Sequence, residues 1–568
     1  MTTIFNDPAE FSEDQLDGFA DLYADRLVKV TGGVVTHPPK TAQVAVVVGG
    51  GSGHYPAFAG LVGPGFASGA VVGNIFTSPS AAHVYSVAKA ADQGKGVILT
   101  FGNYAGDNMN FGIAAERLRQ EGIDTRIVVV TDDVASNDEH LKRRGIAGDF
   151  TVFKVMGAAA AAGMGIDEVE RLGNHANLNT RTMGVAFSGC TMPGAREPLF
   201  RVPAGMMGVG LGIHGEPGIR DEARASGHEL ARLLVAEALK DAPQGVGNRV
   251  AVIVNGLGTT KYEELFLLYA SVAPLLREAG LEIVDPEVGE LVTSLDMGGV
   301  SLTLMWLDEQ LEEAWRADAY AAAYRKQNSL LDVLDHDADL TTAGVTAATV
   351  TPPSEAGATL GRQATDAFAY VAALMTEQEE YLGRIDAIAG DGDHGRGMVR
   401  GTSAALHAIT ALTAETGFTP GPAAVLRAAG QAWAMEAGGT SGVLWGASLE
   451  SAAQTLADDA DTYTEVDALE AVEAFAATIQ QLGGAQVGDK TLVDGLVPFV
   501  DKFRSELTSG SGLRDAWNAA AEAASQAAEK TRELRPKKGR ATPLADKSVG
   551  NPDPGAVSLA MILTSLVK

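Results

Sequence analysis

Residues 1–334 carry their hydrophobic positions in two alternating patterns. Short runs rich in β-branched residues end in Gly, Asn or Asp, and such runs predict buried strands followed by loops. These runs lie at 42–54, 95–107, 125–135 and 249–258. Between them, segments such as 81–94 and 109–122 place apolar residues at helical spacing. The repeated order of strand, loop and helix predicts an α/β domain whose loops at the strand ends carry the site.

The pattern changes after residue 334. Residues 335–361 have no apolar period, are rich in Thr, Ala and Gly, and contain Pro352 and Pro353 in succession. This composition predicts an interdomain linker. Residues 362–568 then show almost only helical periodicity, so we expect an all-α domain after the linker.

Composition and charge exclude several classes of partner. A chain of 568 residues is too long for one ordinary core, and its formal net charge of −29 opposes docking on nucleic acid. The single cysteine, Cys190, cannot form a disulfide within the chain, which favours a cytoplasmic location. The acidic N-terminal segment lacks a signal-peptide pattern, and no apolar run is long enough to span a membrane. The longest apolar run, 155–166, is Ala/Gly-rich and predicts a closely packed buried helix.

The second domain contains an acidic, glycine-rich stretch, "RIDAIAGDGDHGRGM", at 384–398. Asp386, Asp391 and Asp393 are close in sequence, and such carboxylates repel one another unless cations or hydrogen-bond donors intervene. Oxygen ligands of this kind suit Mg²⁺ shared with the phosphates of a substrate. An acidic, solvated turn is the alternative.

Three glycine-rich breaks lie in the same domain, at 436–446, 487–495 and 537–556. Free backbone N–H groups at helix starts bind phosphate, whereas each break by itself also suits a simple helix connection. None of them is a P-loop, because Asp489 stands where that motif requires lysine. Only their combination indicates a phosphate site.

In the first domain, polar residues follow two predicted strands. "GSGH" at 51–54 ends the first run, and its His54 stands where a dinucleotide fingerprint needs glycine. This loop suits either a small-molecule site or a plain strand-to-helix turn. Asp107 follows a later run and suits either a base or a helix N-cap. Further along, His214 in "GVGLGIHGEPGIR" is either a nucleophile or base on a bare loop or a structural histidine.

Together these motifs resemble those of the single-chain, ATP-dependent dihydroxyacetone kinases over nearly the whole chain. "GGGSGH", "IFTSPS", "NYAGDNMNF" and "GIHGEPGI" resemble the ketose-binding domain of that family. "GDGDHG", "GGTSG", "GDKT", "KGRA" and "DPGA" resemble its nucleotide-binding domain. The resemblance implies an α/β ketose-binding domain of two subdomains and an all-α, eight-helix barrel that binds ATP and Mg²⁺. It also implies a homodimer.

The resemblance also implies roles for individual residues. The histidine matching His214 attacks the substrate ketone and holds it as a covalent hemiaminal, which glycerol cannot form because it has no carbonyl. His54 and Asp107 match an acid/base pair near the hydroxyl to be phosphorylated. The substrate-binding positions are Gly51, Ser52, Gly53, His54 and Asp107.

The implied Mg²⁺ ligands are Asp386, Asp391 and Asp393. The implied nucleotide contacts are His394, Gly395, Arg396, Gly397, Thr440, Ser441, Gly488, Arg540, Asp553, Pro554 and Gly555. Catalysis in this arrangement consists of positioning and charge neutralisation of the γ-phosphoryl group.

Two positions depart from the family pattern. Gly102 stands where the family typically has lysine, and Tyr55 stands where it has glutamate. Loss of a long cationic side chain leaves room for one more hydroxymethyl group. A four-carbon ketose such as erythrulose therefore joins dihydroxyacetone as a candidate substrate.

The sequence thus predicts ATP-dependent phosphorylation of a terminal hydroxyl of a three- or four-carbon ketose. One alternative is lyase activity on a nucleotide such as FAD, for which the helical domain alone must bind the whole dinucleotide. Another is a ketose-sensing module without turnover, but a sensor has no need of the three aspartates. A kinase fed by a phosphocarrier protein is disfavoured, because such systems divide the two domains between chains.

Overall fold

The computed structural model describes residues 2–333, 350–437, 439–538 and 542–566. The chain divides into two compact units, Met1–Asp339 and Leu340–Lys568. The first unit alternates strands and helices, and the described part of the second contains helices and no strand. None of the helices in the described residues is long and apolar enough to cross a membrane. The predicted fold class is confirmed.

The first unit contains two β-sheets and a short hairpin. The strands of the first sheet are β1 (Leu27–Val30), β2 (Gly33–Thr36), β3 (Ala45–Ser52), β4 (Gly69–Ile75), β5 (Val97–Gly102) and β6 (Thr125–Val130). Those of the second are β7 (Thr180–Ala186), β8 (Met206–Val209), β9 (Arg220–Ala223), β10 (Arg249–Gly256), β11 (Glu282–Ile283), β12 (Glu287–Gly289) and β13 (Gly299–Trp306). The hairpin strands are β14 (Ala319–Tyr320) and β15 (Arg325–Lys326).

Eight α-helices belong to the described part of this unit. They are α1 (Phe11–Leu22), α2 (Ala81–Ala91), α3 (Ala105–Gln120), α4 (Gly148–Ala161), α5 (Ile166–Leu178), α6 (Gly227–Lys240), α7 (Tyr262–Glu278) and α8 (Glu309–Arg316). The four strand-like runs in the sequence became β3, β5, β6 and β10.

The first sheet has the strand order β1-β2-β4-β3-β5-β6. Strand β3 runs parallel to both β4 and β5, and β5 runs parallel to β6. Parallel strands bring their carboxyl ends to the same edge of a sheet, where ligands bind in such folds. The loops after β3 and β5, which carry His54 and Asp107, therefore meet at one edge.

Helices α4 and α5 lie between the two sheets. Their apolar side chains share one core with Val48 and Ile98 of the first sheet and with Ile253 of the second. All but one of the fourteen residues of α4 are buried. The apolar run at 155–166 predicts a buried helix. In the structure the helix that contains the start of this run, α4, begins earlier, at Gly148.

The second unit is a closed ring of helices. Its α-helices are α9 (Glu355–Asp386), α10 (His394–Thr416), α11 (Pro422–Ala437), α12 (Gly439–Gln454), α13 (Glu465–Gly483), α14 (Val493–Thr508), α15 (Leu513–Lys530), α16 (Ala545–Ser548) and α17 (Pro554–Ser565). Apart from the single turn α16, each packs against its neighbour in sequence, and α17 packs back against α9. The described residues thus form the predicted eight-helix barrel.

The barrel encloses an apolar cavity of about 960 Å³. It lies between the start of α9, the start of α13 and the end of α17, and aromatic side chains such as Phe368, Trp445 and Trp517 line it. The opposite end of the barrel holds the end of α9 and the starts of α10 and α17. The acidic stretch lies at that opposite end.

The predicted linker, 335–361, differs from the structure at its end. Residues 334–349 lie outside the described residues, and α9 begins at Glu355, within the predicted linker. The Ser354 hydroxyl caps this helix by accepting a hydrogen bond from the Gly357 amide at 2.9 Å. A Cβ on Gly357 or Gly361 would lie within about 2 Å of a carbonyl oxygen of a packed loop. The glycines that suggest a linker therefore permit close packing of a helix.

Candidate active site

Two histidines far apart in sequence meet in the first unit. His54 follows β3, and His214 lies on the loop between β8 and β9. Their Nε2 atoms are 3.1 Å apart, and the ring of Phe76 packs against both imidazoles with centroid distances of 5.1 Å. The tertiary structure thus joins the two histidines that the sequence predicts as substrate-site residues.

The hydrogen bonds of His54 fix its protonation. Its Nδ1 lies 2.7 Å from the Thr293 carbonyl oxygen, which accepts only, so Nδ1 carries the proton. The side chain is 3% exposed, and burial followed by the charge of His214 lowers the pKa of His54 to about 3. At neutral pH this ring is uncharged, and its Nε2 presents a lone pair to His214.

Glu216 forms a hydrogen bond with the other ring nitrogen of His214. The His214 Nδ1 lies 3.0 Å from one carboxylate oxygen of Glu216, and the His214 backbone amide donates to the other oxygen at 3.0 Å. Burial opposes ionisation of Glu216, but the hydrogen bond and charge of His214, with Arg144, lower its pKa to about 2. Arg144 is itself held by Asp133 at 2.8 Å. Sequence reasoning missed Glu216, although it lies two residues after the histidine.

These contacts leave one proton to be shared between the two rings. Nδ1 of each histidine donates to an acceptor, so both Nε2 atoms would present lone pairs to each other if both rings were neutral. A hydrogen bond across this 3.1 Å contact therefore needs one further proton between the two rings. Glu216 balances the resulting charge. The pair can pass this proton to a substrate oxygen when His214 acts as a nucleophile.

Glu216→Gln is expected to lower kcat/KM for a ketose by about 10- to 100-fold, because the amide still accepts from Nδ1 but carries no charge. Steady-state rates at several pH values check this, and the shape of the pH profile should change with the loss of charge. Glu222→Gln, on nearby β9, is the matched control and should stay within about twofold. An unchanged pH profile with normal kcat/KM would leave Glu216 without a role.

Asp107 lies on the first turn of α3 and is 8% exposed. Burial raises the pKa of its carboxyl, while a hydrogen bond with Ser78 and the charge of His214 act in the opposite direction. Its Oδ1 is buried and has no hydrogen-bond partner among the described residues. This carboxyl is therefore placed to accept a proton from a ligand.

The end of β3 and the start of the loop after it are shaped by close packing. A Cβ on Gly51 would lie 2.6 Å from the Thr77 backbone nitrogen, and one on Gly53, at φ +100°, would lie 2.8 Å from the Phe76 ring. The Ser52 hydroxyl donates to the Gly73 carbonyl oxygen at 2.6 Å. These three predicted substrate-site residues thus hold the chain segment that leads to His54.

Backbone and an aromatic ring pack closely beside Gly102. A Cβ at this position would lie 3.1 Å from the Gly145 carbonyl oxygen and 3.2 Å from the Tyr104 ring. The backbone of Gly145 therefore approaches where a side chain would stand. Tyr55, the other departure, is half exposed, and its ring lies edge-on to Phe19.

The second unit brings the three predicted metal ligands together. Asp386 ends α9, and Asp391 and Asp393 lie on the turn before α10. One oxygen of each carboxylate lies within 4.8 Å of the others. A set of carboxylate oxygens at this spacing fits Mg²⁺, which prefers oxygen ligands.

The helix starts around this cluster carry further predicted nucleotide residues. His394 begins α10, its Nε2 lies 2.9 Å from the Ser558 hydroxyl of α17, and burial lowers its pKa. Asp553 caps α17 ahead of Pro554 and Gly555, accepting from the Ala556 amide at 2.8 Å, and burial raises its pKa to about 7.

Three further predicted nucleotide residues lie on the loop between α13 and α14 and at the start of α12. Gly488, at φ +95°, donates its amide to Asp494, whose charge also acts on Asp553. Thr440 and Ser441 are exposed on the first turn of α12, and an ion pair of Arg400 with Glu436 at 3.6 Å ties the preceding helix end to α10.

The remaining three residues on α10 differ in their surroundings. A Cβ on Gly395 would lie 2.0 Å from the Glu379 carbonyl oxygen, so this glycine serves helix packing. Arg396 is exposed, and Gly397 faces open space. Arg540 lies outside the described residues.

Comparisons with known proteins identify both units. Residues 17–323 match the Dak1 domain, and residues 388–568 match the DAK2 domain. The chain is 52% identical to a D-erythrulose kinase of Mycolicibacterium smegmatis over 99% of its length and 97% of that relative. It is 49% identical to an L-erythrulose 1-kinase of the same organism, covering 100% of this chain and 99% of the relative.

A solved structure agrees with this relationship. The dihydroxyacetone kinase of C. freundii in complex with AMP-PNP and Mg²⁺ is 30% identical, with a TM-score of 0.60 and coverage of 99% of both chains. The chain therefore belongs to the single-chain dihydroxyacetone kinase family of ATP-dependent ketose kinases.

Proposed function

We propose that this protein transfers the γ-phosphoryl group of ATP to a terminal hydroxyl of erythrulose, a four-carbon ketose held as a hemiaminal on His214. The observation that carries the proposal is the His54–His214–Glu216 arrangement, in which one ring nitrogen faces a proton relay and the other faces a carboxylate. Such an arrangement suits addition to a carbonyl group. A simple polyol has no carbonyl group and cannot be captured in this way.

Capture of the ketose begins with the shared proton. As this bridging proton shifts toward Nε2 of His54, the His214 lone pair attacks the carbonyl carbon. As the nitrogen–carbon bond forms, the carbonyl π bond breaks, and His54 gives its proton to the resulting alkoxide. The product is a hemiaminal on a cationic imidazole ring. Glu216 lies beside this ring, so its carboxylate stabilises the positive charge of the hemiaminal.

Phosphoryl transfer then needs a base for the attacking hydroxyl. Asp107 accepts that proton, since its buried Oδ1 has no partner among the described residues. Asp386, Asp391 and Asp393 would hold Mg²⁺, which neutralises charge on the transferring phosphates when bound. The structure of the C. freundii relative with AMP-PNP and Mg²⁺ supports ATP and Mg²⁺ as the second substrate and its metal.

A panel of acceptors tests the proposal. We expect at least one erythrulose enantiomer to be phosphorylated with kcat/KM equal to or above that of dihydroxyacetone, and glycerol to be inert. The erythrulose kinase relatives near 50% identity support the four-carbon substrate. ADP release with each acceptor measures this, with product mass as the second readout. Glycerol turnover comparable to that of the ketoses would overturn covalent capture, and inert erythrulose would overturn the four-carbon assignment.

The cytoplasmic location and the homodimer stay predictions. A buried, unpaired Cys190 supports a reducing compartment, because burial raises the pKa of its thiol to about 11 and keeps it unreactive. The homodimer is carried by the family resemblance.

A further inference from the structure

Half of the unpaired buried polar atoms lie around one strand end. Eight buried side-chain N or O atoms have no hydrogen-bond partner among the described residues. Four of them belong to Thr100, Tyr104, Asp107 and Asp149, at or after the end of β5 and at the start of α4. Buried polar groups without partners are costly, so a cluster of them in a binding site indicates a missing ligand. Asp107 belongs to the mechanism above, and the other three have no assigned role.

Asp149 is held rigidly in this cluster. It is the second residue of α4, is 4% exposed, and its backbone amide donates to the Ile146 carbonyl oxygen at 3.1 Å. The preceding turn is fixed by Asp132, whose carboxylate accepts from the amides of Ile146 and Gly148 at 2.8 and 2.7 Å. The backbone that carries the Asp149 carboxyl is therefore held in place.

Contacts link Asp149 to His214. A Cβ on Gly145 would lie 3.0 Å from Oδ1 of Asp149 and 2.4 Å from the Cα of Gly102. A Cβ on Gly102 would in turn touch the ring of Tyr104, which lies edge-on to the His214 ring at 4.9 Å. Two glycines thus let two backbone segments meet, and Tyr104 lies between this meeting point and the reacting histidine.

Thr100 faces the same helix. Ile98 belongs to the core that α4 shares with β5, and alternate residues of a strand point to the same side. Thr100 and Gly102 therefore face α4, where Asp149 begins the helix. The exposed fraction of Thr100 is 0%, and its Oγ1 is among the unpaired atoms.

The cluster suits a neutral hydroxyl. Burial, with the charges of Asp132 and Asp107, raises the pKa of Asp149 well above its usual value. A carboxyl, a phenol and an alcohol all accept hydrogen bonds, and the phenol and the alcohol also donate them. A ligand hydroxyl can both donate to and accept from this set.

We propose that Asp149, with the hydroxyls of Tyr104 and Thr100, forms a subsite for the additional hydroxyl of a four-carbon ketose bound at His214. A three-carbon ketose has one hydroxyl fewer and leaves this subsite unfilled. Substrate length is thus read by buried polar atoms beside Gly102, rather than by empty space left by a missing lysine. This subsite presupposes the proposed ketose kinase activity.

The test compares kcat/KM for dihydroxyacetone and both erythrulose enantiomers in wild type and in Asp149→Leu and Asp149→Ala. We expect kcat/KM for the preferred erythrulose to fall by about 30-fold, through KM, with dihydroxyacetone changed by less than about threefold. Asp149→Asn has nearly the same shape and offers both a donor and an acceptor, so it should stay within about fivefold of wild type for both substrates. Leucine should also leave Tm unchanged or raise it, because it removes an unsatisfied polar group.

Thr151→Val is the matched control on the same helix. The Thr151 hydroxyl donates to the Gly148 carbonyl oxygen at 2.8 Å, so this change should lower Tm and leave the substrate ratio unchanged. Equal losses for three- and four-carbon ketoses in both Asp149→Leu and Asp149→Ala would overturn the subsite. If Ala fails to fold, the ratio in Leu and Asn decides. Wild-type protein inert with every ketose would instead overturn the proposed function.

Discussion

Replacing His214 by alanine is expected to lower kcat/KM for every ketose substrate by at least about a thousandfold, because the change removes the nucleophile that captures the carbonyl. His54 and Glu216 assist the reaction through their hydrogen bonds to this ring. Neither of them can therefore replace the ring once it is removed. Nucleotide affinity should remain within about twofold, since the implied ATP contacts lie in the second unit. Coupled ADP-release kinetics and calorimetric titration with AMP-PNP measure the two effects.

His228→Ala is the control for loss of a histidine in the same unit. His228 is exposed on α6 and hydrogen-bonds only to Ser271 among the contacts of the described residues. Its loss should leave ketose turnover within about twofold. A crystal structure with ketose bound in clear density away from His214 would contradict the capture role directly.

Asp391→Asn and Asp393→Asn are each expected to reduce turnover by at least about a thousandfold at saturating ATP, since each removes an anionic ligand from the Mg²⁺ site. Both residues lie on the turn before α10, where a change of charge need not disturb helix packing. Tm without metal should therefore stay at the wild-type value or rise as repulsion within the cluster falls.

Rates measured across a wide range of Mg²⁺ concentrations, together with metal-free Tm, check this prediction. Asp366→Asn is the matched control, because Asp366 is exposed on α9, the helix that Asp386 ends. It should behave as wild type. Near-normal turnover of both cluster variants at saturating Mg²⁺ would mean that the three carboxylates form only a solvated turn.

Local sequence determined most of the elements. Strands β3, β5 and β10 arise from β-branched runs that are buried on both faces, and the edge strand β6 arises from a run that is partly buried. Helical periodicity likewise determined the long helices after residue 362. It failed at Glu355–Gly361, where glycines serve close packing against loops distant in sequence, which no local pattern reports.

The residues within the motifs determined which reactive groups the protein has. Only the tertiary structure decided which of these groups contact one another. His54, Asp107 and His214 are recognisable in the sequence, whereas the 3.1 Å contact between the histidines joins residues 160 positions apart. The role of Gly102 also depends on folding, because Gly145 packs against it. Burial of Asp149 beside them depends on two sheets closing over α4. Short-range sequence patterns encode the helices, the strands and the reactive side chains. The sharing of a proton between the two histidines and the burial of unpaired polar atoms depend on distances that only the folded chain sets.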